Sequence, residues 1–228
     1  MIHTGDVMTR PVSNICFHGV GTPRRTLEPG ESTYWVDVPR FLAILDEVAT
    51  WPSVRISFDD GNASDVDIAL PALVSRGLSA DFFVLAGRLG SAGSVDEDGV
   101  RELHRQGMTI GTHGMAHRSW RNMDSPTRYE ELIAAREQLT EVVGASVDTA
   151  ACPLGRYDRR LLAELHRLDY RRVFTSDRRP ARPDAWLQPR FSARHVDTPD
   201  SLRAEALDPA PVARRLVAAA KGAAKRLR

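Results

Sequence analysis

The 228-residue chain carries 31 Lys and Arg against 30 Asp and Glu, with 42% hydrophobic and 27% charged residues, a globular composition rather than a disordered one. No run of ~18 apolar residues occurs, so no membrane-spanning helix is expected, and a net charge of +1 argues against nucleic-acid binding through a basic surface. The two cysteines, Cys16 and Cys152, form no spacing pattern; a disulfide framework is excluded, and a cytoplasmic location is expected.

Met1 to Pro11 is polar without an apolar h-region, which predicts no secretory leader. Beyond it, short apolar runs alternate with helical patterns. Strands are predicted at Asn14–His18, Val54–Phe58, Asp81–Leu85, Met108–Thr112, Thr149–Cys152 and Arg172–Thr175, with a weaker one at Leu187–Ser192. Helices are predicted between them at Pro39–Ala49, Ser64–Arg76, Asp98–Gln106, Pro126–Val143 and Arg159–Leu168. Ser64 with Asp67 reads as a capping box, Pro71 should kink that helix, and Gly77, Gly107 and Gly144 act as C-terminal stops. Strands separated by single helices imply βαβ units and a parallel sheet, either open or closed into an incomplete barrel. Both architectures place functional residues at the carboxyl ends of strands.

The tail from Val212 carries Arg214, Arg215, Lys221, Lys225, Arg226 and Arg228 and no acid. Removing those six from the 31 basic residues leaves 25 against 30 acidic, so the preceding body is mildly acidic. Residues 209–228 are expected to form a separate basic helix. Its weak stripe of Leu216, Ala220, Ala224 and Leu227 allows at most weak peripheral contact with anionic lipid, at the inner face of a membrane.

The strand ends are chemically biased. They read His18-Gly19, Asp59-Asp60-Gly61, His113-Gly114-Met115-Ala116-His117 and Pro153-Leu154-Gly155. Adjacent carboxylates point to opposite faces of a strand, but at a turn both can reach one cavity, and Gly61 permits such a turn. His113 and His117, four apart, fall on one side of a helical turn. Two imidazoles and a carboxylate suit a zinc-type site with an open position. Gly114 stands where the HExxH pattern has its Glu base, so a base must come from elsewhere, and the aspartate pair is the nearest donor.

These residues carry a family resemblance. Ser57-Phe58-Asp59-Asp60-Gly61 resembles the first motif of the NodB-type polysaccharide deacetylases, carbohydrate esterase family 4. The stretch from His113 to His117 resembles their HxxxH motif, and Cys152-Pro153-Leu154-Gly155-Arg156-Tyr157-Asp158 their third motif. The resemblance spans about Val54 to Thr175. It implies a distorted or incomplete (β/α)7-type barrel with parallel strands, occupying residues 1–208. It also implies a metal-dependent hydrolase that removes acetyl from an N-acetylated sugar or glycan. Asp60, His113 and His117 would hold a divalent ion, most often zinc; Asp59 would be the general base, and the backbone N–H of Leu154 would bind the oxyanion.

Three departures from the family pattern bear on the site. Ala150, Ala151 and Cys152 stand where an Arg usually orients the base, and Arg190 is the residue expected to replace it. Leu154 replaces the aromatic after Pro153. The C-terminal motif ending in His-Asp is missing, with His195 the nearest counterpart. Asn14-Ile15-Cys16-Phe17-His18 offers a better match. Biofilm poly-N-acetylglucosamine deacetylases resemble this chain in carrying the last motif at the N-terminus. That likeness makes His18 the general acid and places Ile15 in the acetyl pocket. Asp184-Ala185-Trp186 resembles the fourth motif, in which Trp walls the acyl pocket and Asp tunes the catalytic groups. Trp120 is expected to pack rather than bind, and Cys152 to be a small core residue. Two other readings stay open: hydrolysis of another non-peptide C–N bond, such as a formamide or cyclic ureide, and a non-catalytic carbohydrate-binding member.

Overall fold

A computed structural model describes residues 10–207 and residue 220; apart from Ala220, the predicted basic helix lies outside them. The strands are β1 (Ser13–Phe17), β2 (Val54–Asp60), β3 (Ala80–Val84), β4 (Thr109–Thr112), β5 (Thr149–Ala151), β6 (Arg172–Thr175), β7 (Leu187–Pro189) and β8 (Phe191–Ser192). All pair in parallel, in the order β7-β6-β5-β4-β3-β2-β1-β8. The weak strand predicted at 187–192 is therefore the seam of a barrel. Its first half pairs with β6 through Leu187 to Pro189. Its second half pairs with β1, Ile15 facing Phe191. Arg190 stands between, and the expected distorted or incomplete (β/α)7-type barrel forms as a nearly closed sheet of eight parallel strands.

The helices are α1 (Val38–Val48), α2 (Leu70–Val74), α3 (Glu97–Arg105), α4 (Ser125–Tyr129), α5 (Ala135–Val143), α6 (Arg159–Arg167) and α7 (Pro199–Ala206). Most start on a side-chain cap that satisfies an otherwise orphaned N–H. Asp37, Asp96, Asp124 and Asp158 accept from the N–H of Arg40, Gly99, Thr127 and Leu161. The capping box predicted at Ser64 does not form: Ser64 is already helical, and its hydroxyl accepts from the Val20 N–H at 3.2 Å. The irregularity expected at Pro71 falls one turn earlier, as a π-helical stretch at Asp65–Ala69, where the proline's ring and missing N–H act. A second π-helical stretch, Glu130–Ala134, joins α4 to α5.

Period-2 alternation sorts the strand residues. Ile15, Phe17, Ile56, Phe58 and Phe82 join Phe41, Ile44 and Leu45 of α1 in the main apolar core, with Phe58 stacked on Phe82 at 4.7 Å and Phe17 edge-on to Phe41 at 5.0 Å. The opposite parity fills the barrel. Asn14 donates to Gln188 at 3.0 Å, Arg190 reaches Ser57 and Asp59, and Phe83 and Phe174 pack together at 4.8 Å. Gly111 is required there, because a Cβ would come within 2.5 Å of the Phe83 ring. Ile15 therefore belongs to the helix-facing layer, not to an acetyl pocket: it has the opposite parity to Cys16 and His18.

Candidate metal centre and active site

The site lies at the carboxyl ends of β1, β2 and β4. β2 ends in two buried carboxylates. Asp60 has φ 78° and Gly61 φ 69°, a left-handed turn that breaks the alternation. Both carboxylates consequently converge on His113: its Nε2 lies 3.9 Å from Asp59 Oδ2 and 3.6 Å from Asp60 Oδ1. His117 Nε2 is also 3.6 Å from Asp60 Oδ1. The histidines are not on a helix, as their spacing had suggested. An irregular loop with left-handed Gly114 (φ 89°) and His117 (φ 49°) brings their rings to 5.5 Å.

This trio fits a divalent ion. One ligand atom from each of Asp60, His113 and His117 lies within 4.8 Å of the others. Asp60 Oδ1 is buried without a hydrogen-bond partner among the described residues, a costly state unless a cation meets it. The far ring nitrogens are already engaged: His113 Nδ1 meets the Ala151 carbonyl at 2.9 Å, and His117 Nδ1 meets Glu28 Oε2 at 2.7 Å. That fixes the tautomers with Nε2 free towards Asp60. Burial, partly opposed by the two aspartates, pushes the His113 pKa down to about 4, so its ring is neutral at ordinary pH, the form that binds metals.

Asp59 has different company. Arg190 grips it through two hydrogen bonds of 2.6 Å each, and the guanidinium rests 5.2 Å and 5.7 Å from the Phe83 and Phe174 ring centres. Burial raises the Asp59 pKa, but the Arg190 charge and hydrogen bonds, together with the neighbouring His113 and His18, more than offset it and hold the carboxyl well below the usual range. Nearby Asp65, also buried, is pushed well above that range by burial and by the Asp60 charge.

His18 follows the last residue of β1 and stacks on Tyr34 at 4.9 Å. Ligand atoms of Cys16, His18 and Asp59 lie within 4.8 Å of one another, and His18 Nδ1 is buried without a hydrogen-bond partner among the described residues. His195 is exposed and tied to the Thr33 carbonyl through both its backbone N–H and its ring. Leu154 sits at the end of β5 in a left-handed turn (φ 57°, ψ 13°) with its side chain exposed.

Trp186 lies elsewhere. It precedes β7, at the amino end of the barrel, where it stacks on His166 at 3.5 Å and donates to the Tyr170 carbonyl at 2.6 Å. Asp184 is exposed and paired with Arg182. The fourth-motif assignment fails because that segment enters the barrel from the end opposite the site. Trp120 and Cys152 are buried, as expected.

Sequence reading missed the supports of the histidine loop. Glu28 comes from the polar connection after β1, which has no periodicity to flag it. Glu131, in the second π-helical stretch, is buried and accepts from the N–H groups of Met115 (2.9 Å) and Ala116 (3.2 Å) and from Trp120 Nε1 (3.2 Å). An acid beside the buried Leu132 and Ala135 was the available signal.

Fold and site together define a parallel β/α-barrel protein with hydrolase-type carboxylate and imidazole groups at its strand ends. The family model "Polysaccharide deacetylase" matches residues 47–173, more than half of the chain, and the protein belongs to that family. The Bacillus subtilis proteins YxkH and YheN, both described as candidate polysaccharide deacetylases, are similar at 21% identity over 67% of this chain and 28% over 45%. The chain spans 52% and 36% of their respective lengths, about half or less of the curated relatives it matches. Among solved structures, Streptococcus pyogenes deacetylase PplD in complex with acetate superposes with TM-score 0.73 at 17% identity, covering 85% of this chain and 97% of that one. IcaB from Ammonifex degensii superposes with TM-score 0.68 at 19% identity, covering 86% and 96%. An Aggregatibacter actinomycetemcomitans de-N-acetylase gives 0.70 at 12%, covering 86% and 100%.

Proposed function

We propose that the protein is a metal-dependent N-deacetylase that hydrolyses the acetamido group of an N-acetylated sugar or glycan and releases acetate. The observation that carries this reading is the pairing of two neighbouring carboxylates with opposite surroundings: Asp60 has an unpartnered buried oxygen 3.6 Å from two imidazole nitrogens, and Asp59 is held ionised by Arg190. The names of the similar structures, a deacetylase with acetate and a de-N-acetylase, support acetyl as the acyl group.

Asp60, His113 and His117 would hold the ion, with zinc the best match to one oxygen and two nitrogen donors. Bound there, it supplies Lewis acidity that polarises a carbonyl and acidifies water. Asp59 takes the proton from the attacking water. Arg190 fixes the orientation of that carboxylate and keeps it ionised. The Leu154 N–H, at the end of β5, donates to the oxyanion. His18, across from the β2 carboxylates, returns a proton to the departing nitrogen, because an amine anion leaves too poorly at neutral pH. The segment carrying β1 thereby takes the part that the family's C-terminal motif usually takes.

The test combines metal analysis with amine release from N-acetylglucosamine oligomers. About one divalent ion per chain is expected, lost in His113→Ala. Asp59→Asn should keep the ion and lose about two to four orders of magnitude in rate, the usual size of general-base assistance. An Asp59→Asn protein with wild-type turnover, or His113→Ala with full occupancy, defeats the assignment.

A further inference from the structure

Beyond His18, the loop between β1 and α1 plays no part in the chemistry just described, yet it reaches the metal centre at two places. Arg25 donates to Asn62 Oδ1 at 2.9 Å and 3.2 Å, two residues beyond Asp60. Glu28 meets His117 Nδ1 at 2.7 Å through Oε2, while its Oε1 pairs with Arg88. The loop is braced internally as well: the buried Glu31 pairs with Arg25 and accepts from the Glu28 N–H at 2.7 Å.

We propose that Glu28 is the positioning residue of His117, fixing its tautomer and orientation so that Nε2 is presented to the cation that Asp60, His113 and His117 would share. The inference rests on the metal reading above. Its physical basis is the contrast between the two histidines. His113 Nδ1 faces a neutral acceptor, the Ala151 carbonyl, on a strand that cannot move far. His117 sits on an irregular loop in a left-handed conformation and faces a charged acceptor. A carboxylate behind a ligating imidazole holds the ring proton on the far nitrogen, raises the donor strength of the near one, and limits ring rotation; loss of such a partner typically costs about 10–100-fold in metal affinity. Arg88, in turn, keeps Glu28 from swinging into solvent. Of the two histidines, the one less constrained by backbone has the stronger side-chain support.

The test measures zinc affinity by chelator competition and the His117 tautomer by nitrogen–proton NMR correlation, in the full chain. Glu28→Ala should weaken zinc binding about 10–100-fold and alter the His117 ring signals. Glu28→Gln keeps an acceptor oxygen without the charge and should fall between wild type and Glu28→Ala, which keeps the test usable if the alanine variant does not fold. Arg88→Met breaks the other half of the ion pair and leaves the His117 contact in place; it should cost less than Glu28→Ala. If Glu28 only ties the loop down, Arg88→Met will match Glu28→Ala and the His117 signals will stay as in wild type. That result, or wild-type affinity in both Glu28 variants, overturns the inference. His117→Ala separates the two readings. Full zinc occupancy in that variant defeats the metal centre itself, whereas loss of zinc in His117→Ala with none in Glu28→Ala defeats only the role of Glu28.

Discussion

Replacing Arg190 by Met tests the energetics of the proposed base, Asp59, directly. Both partners are buried, with side-chain exposures of 1% for Arg190 and 4% for Asp59, so solvent screening offers little relief. Removing the guanidinium leaves a carboxylate in the barrel interior without a counter-charge, and deleting one partner of a buried pair costs about 3–5 kcal/mol. For a chain of this length, that corresponds to a fall in Tm of about 6–20 °C. The effect must depend on pH. In the wild type the folded Asp59 pKa lies below its unfolded value, so the ion pair contributes its full stabilisation above an unfolded pKa of about 3.9 and loses it only as pH falls through the folded value. In the variant burial, the largest influence on Asp59, is no longer opposed by the guanidinium and pushes the folded pKa up, above the unfolded one. Its penalty is then complete at high pH and relieved as pH falls and Asp59 takes up a proton. Thermal unfolding at pH 8 and pH 5, with chelator present throughout, should show a wide gap between the two proteins at pH 8 and a narrower one at pH 5. Adding Asp59→Asn to Arg190→Met should recover much of the loss at pH 8, since no buried charge remains. A variant as stable as wild type at pH 8, or a gap independent of pH, refutes the claim that Arg190 stabilises an ionised, desolvated Asp59.

His18→Ala should retain zinc and lose most turnover of an unactivated N-acetyl amide, while an activated acetyl ester, whose leaving group needs little protonation, suffers far less; His195→Ala should change both modestly. Selective loss of amide turnover in His195→Ala instead would move the acid to the C-terminal side. Glu131→Ala strands the N–H groups of Met115 and Ala116 and the Trp120 indole, and should cost at least about 2 kcal/mol in urea unfolding while weakening zinc binding, because the loop carrying His117 loses its anchor. Unchanged unfolding would show that water replaces the carboxylate there.

The alternation of strands and helices was legible because each βα unit carries its own apolar periodicity and its own cap or stop. The barrel seam was only faintly legible: a segment split between two partners around Arg190 has three residues on one side and two on the other, too few to make a pattern. Three site errors have simple physical origins. Ile15 was placed in the acetyl pocket although its parity sets it on the helix-facing side of β1, opposite Cys16. Trp186 was matched by motif, but strand direction puts it at the wrong end of the barrel. The helical spacing of His113 and His117 was genuine, and left-handed loop residues rather than a helix realise it. Glu28 and Glu131 went unseen because a supporting acid is defined by what it touches, and neither lies in a motif. Arg190 was legible through an absence: Ala150, Ala151 and Cys152 stand before Pro153 where an arginine usually orients the base.

The division of labour between Asp59 and Asp60 is the point at which geometry adds most to sequence. As a dipeptide the two are indistinguishable, and composition assigns neither role. Their partners separate them. Both Asp59 oxygens accept from Arg190 at 2.6 Å, and such a carboxylate has little left to offer a cation, which the guanidinium would in any case repel. Asp60 has a buried oxygen that no donor among the described residues satisfies, 3.6 Å from two imidazole nitrogens and adjoining Asp65, which burial and Asp60 itself push towards its protonated form. A second positive charge is thus unfavourable at Asp59 and favourable one residue later. The left-handed turn at Asp60 and Gly61 makes this possible, since on a regular strand the second carboxylate would point into the helix layer. On the proposed reading, base and ligand can therefore be neighbours in sequence without competing for the same ion, because one has its counter-charge built into the closing seam of the barrel and the other does not.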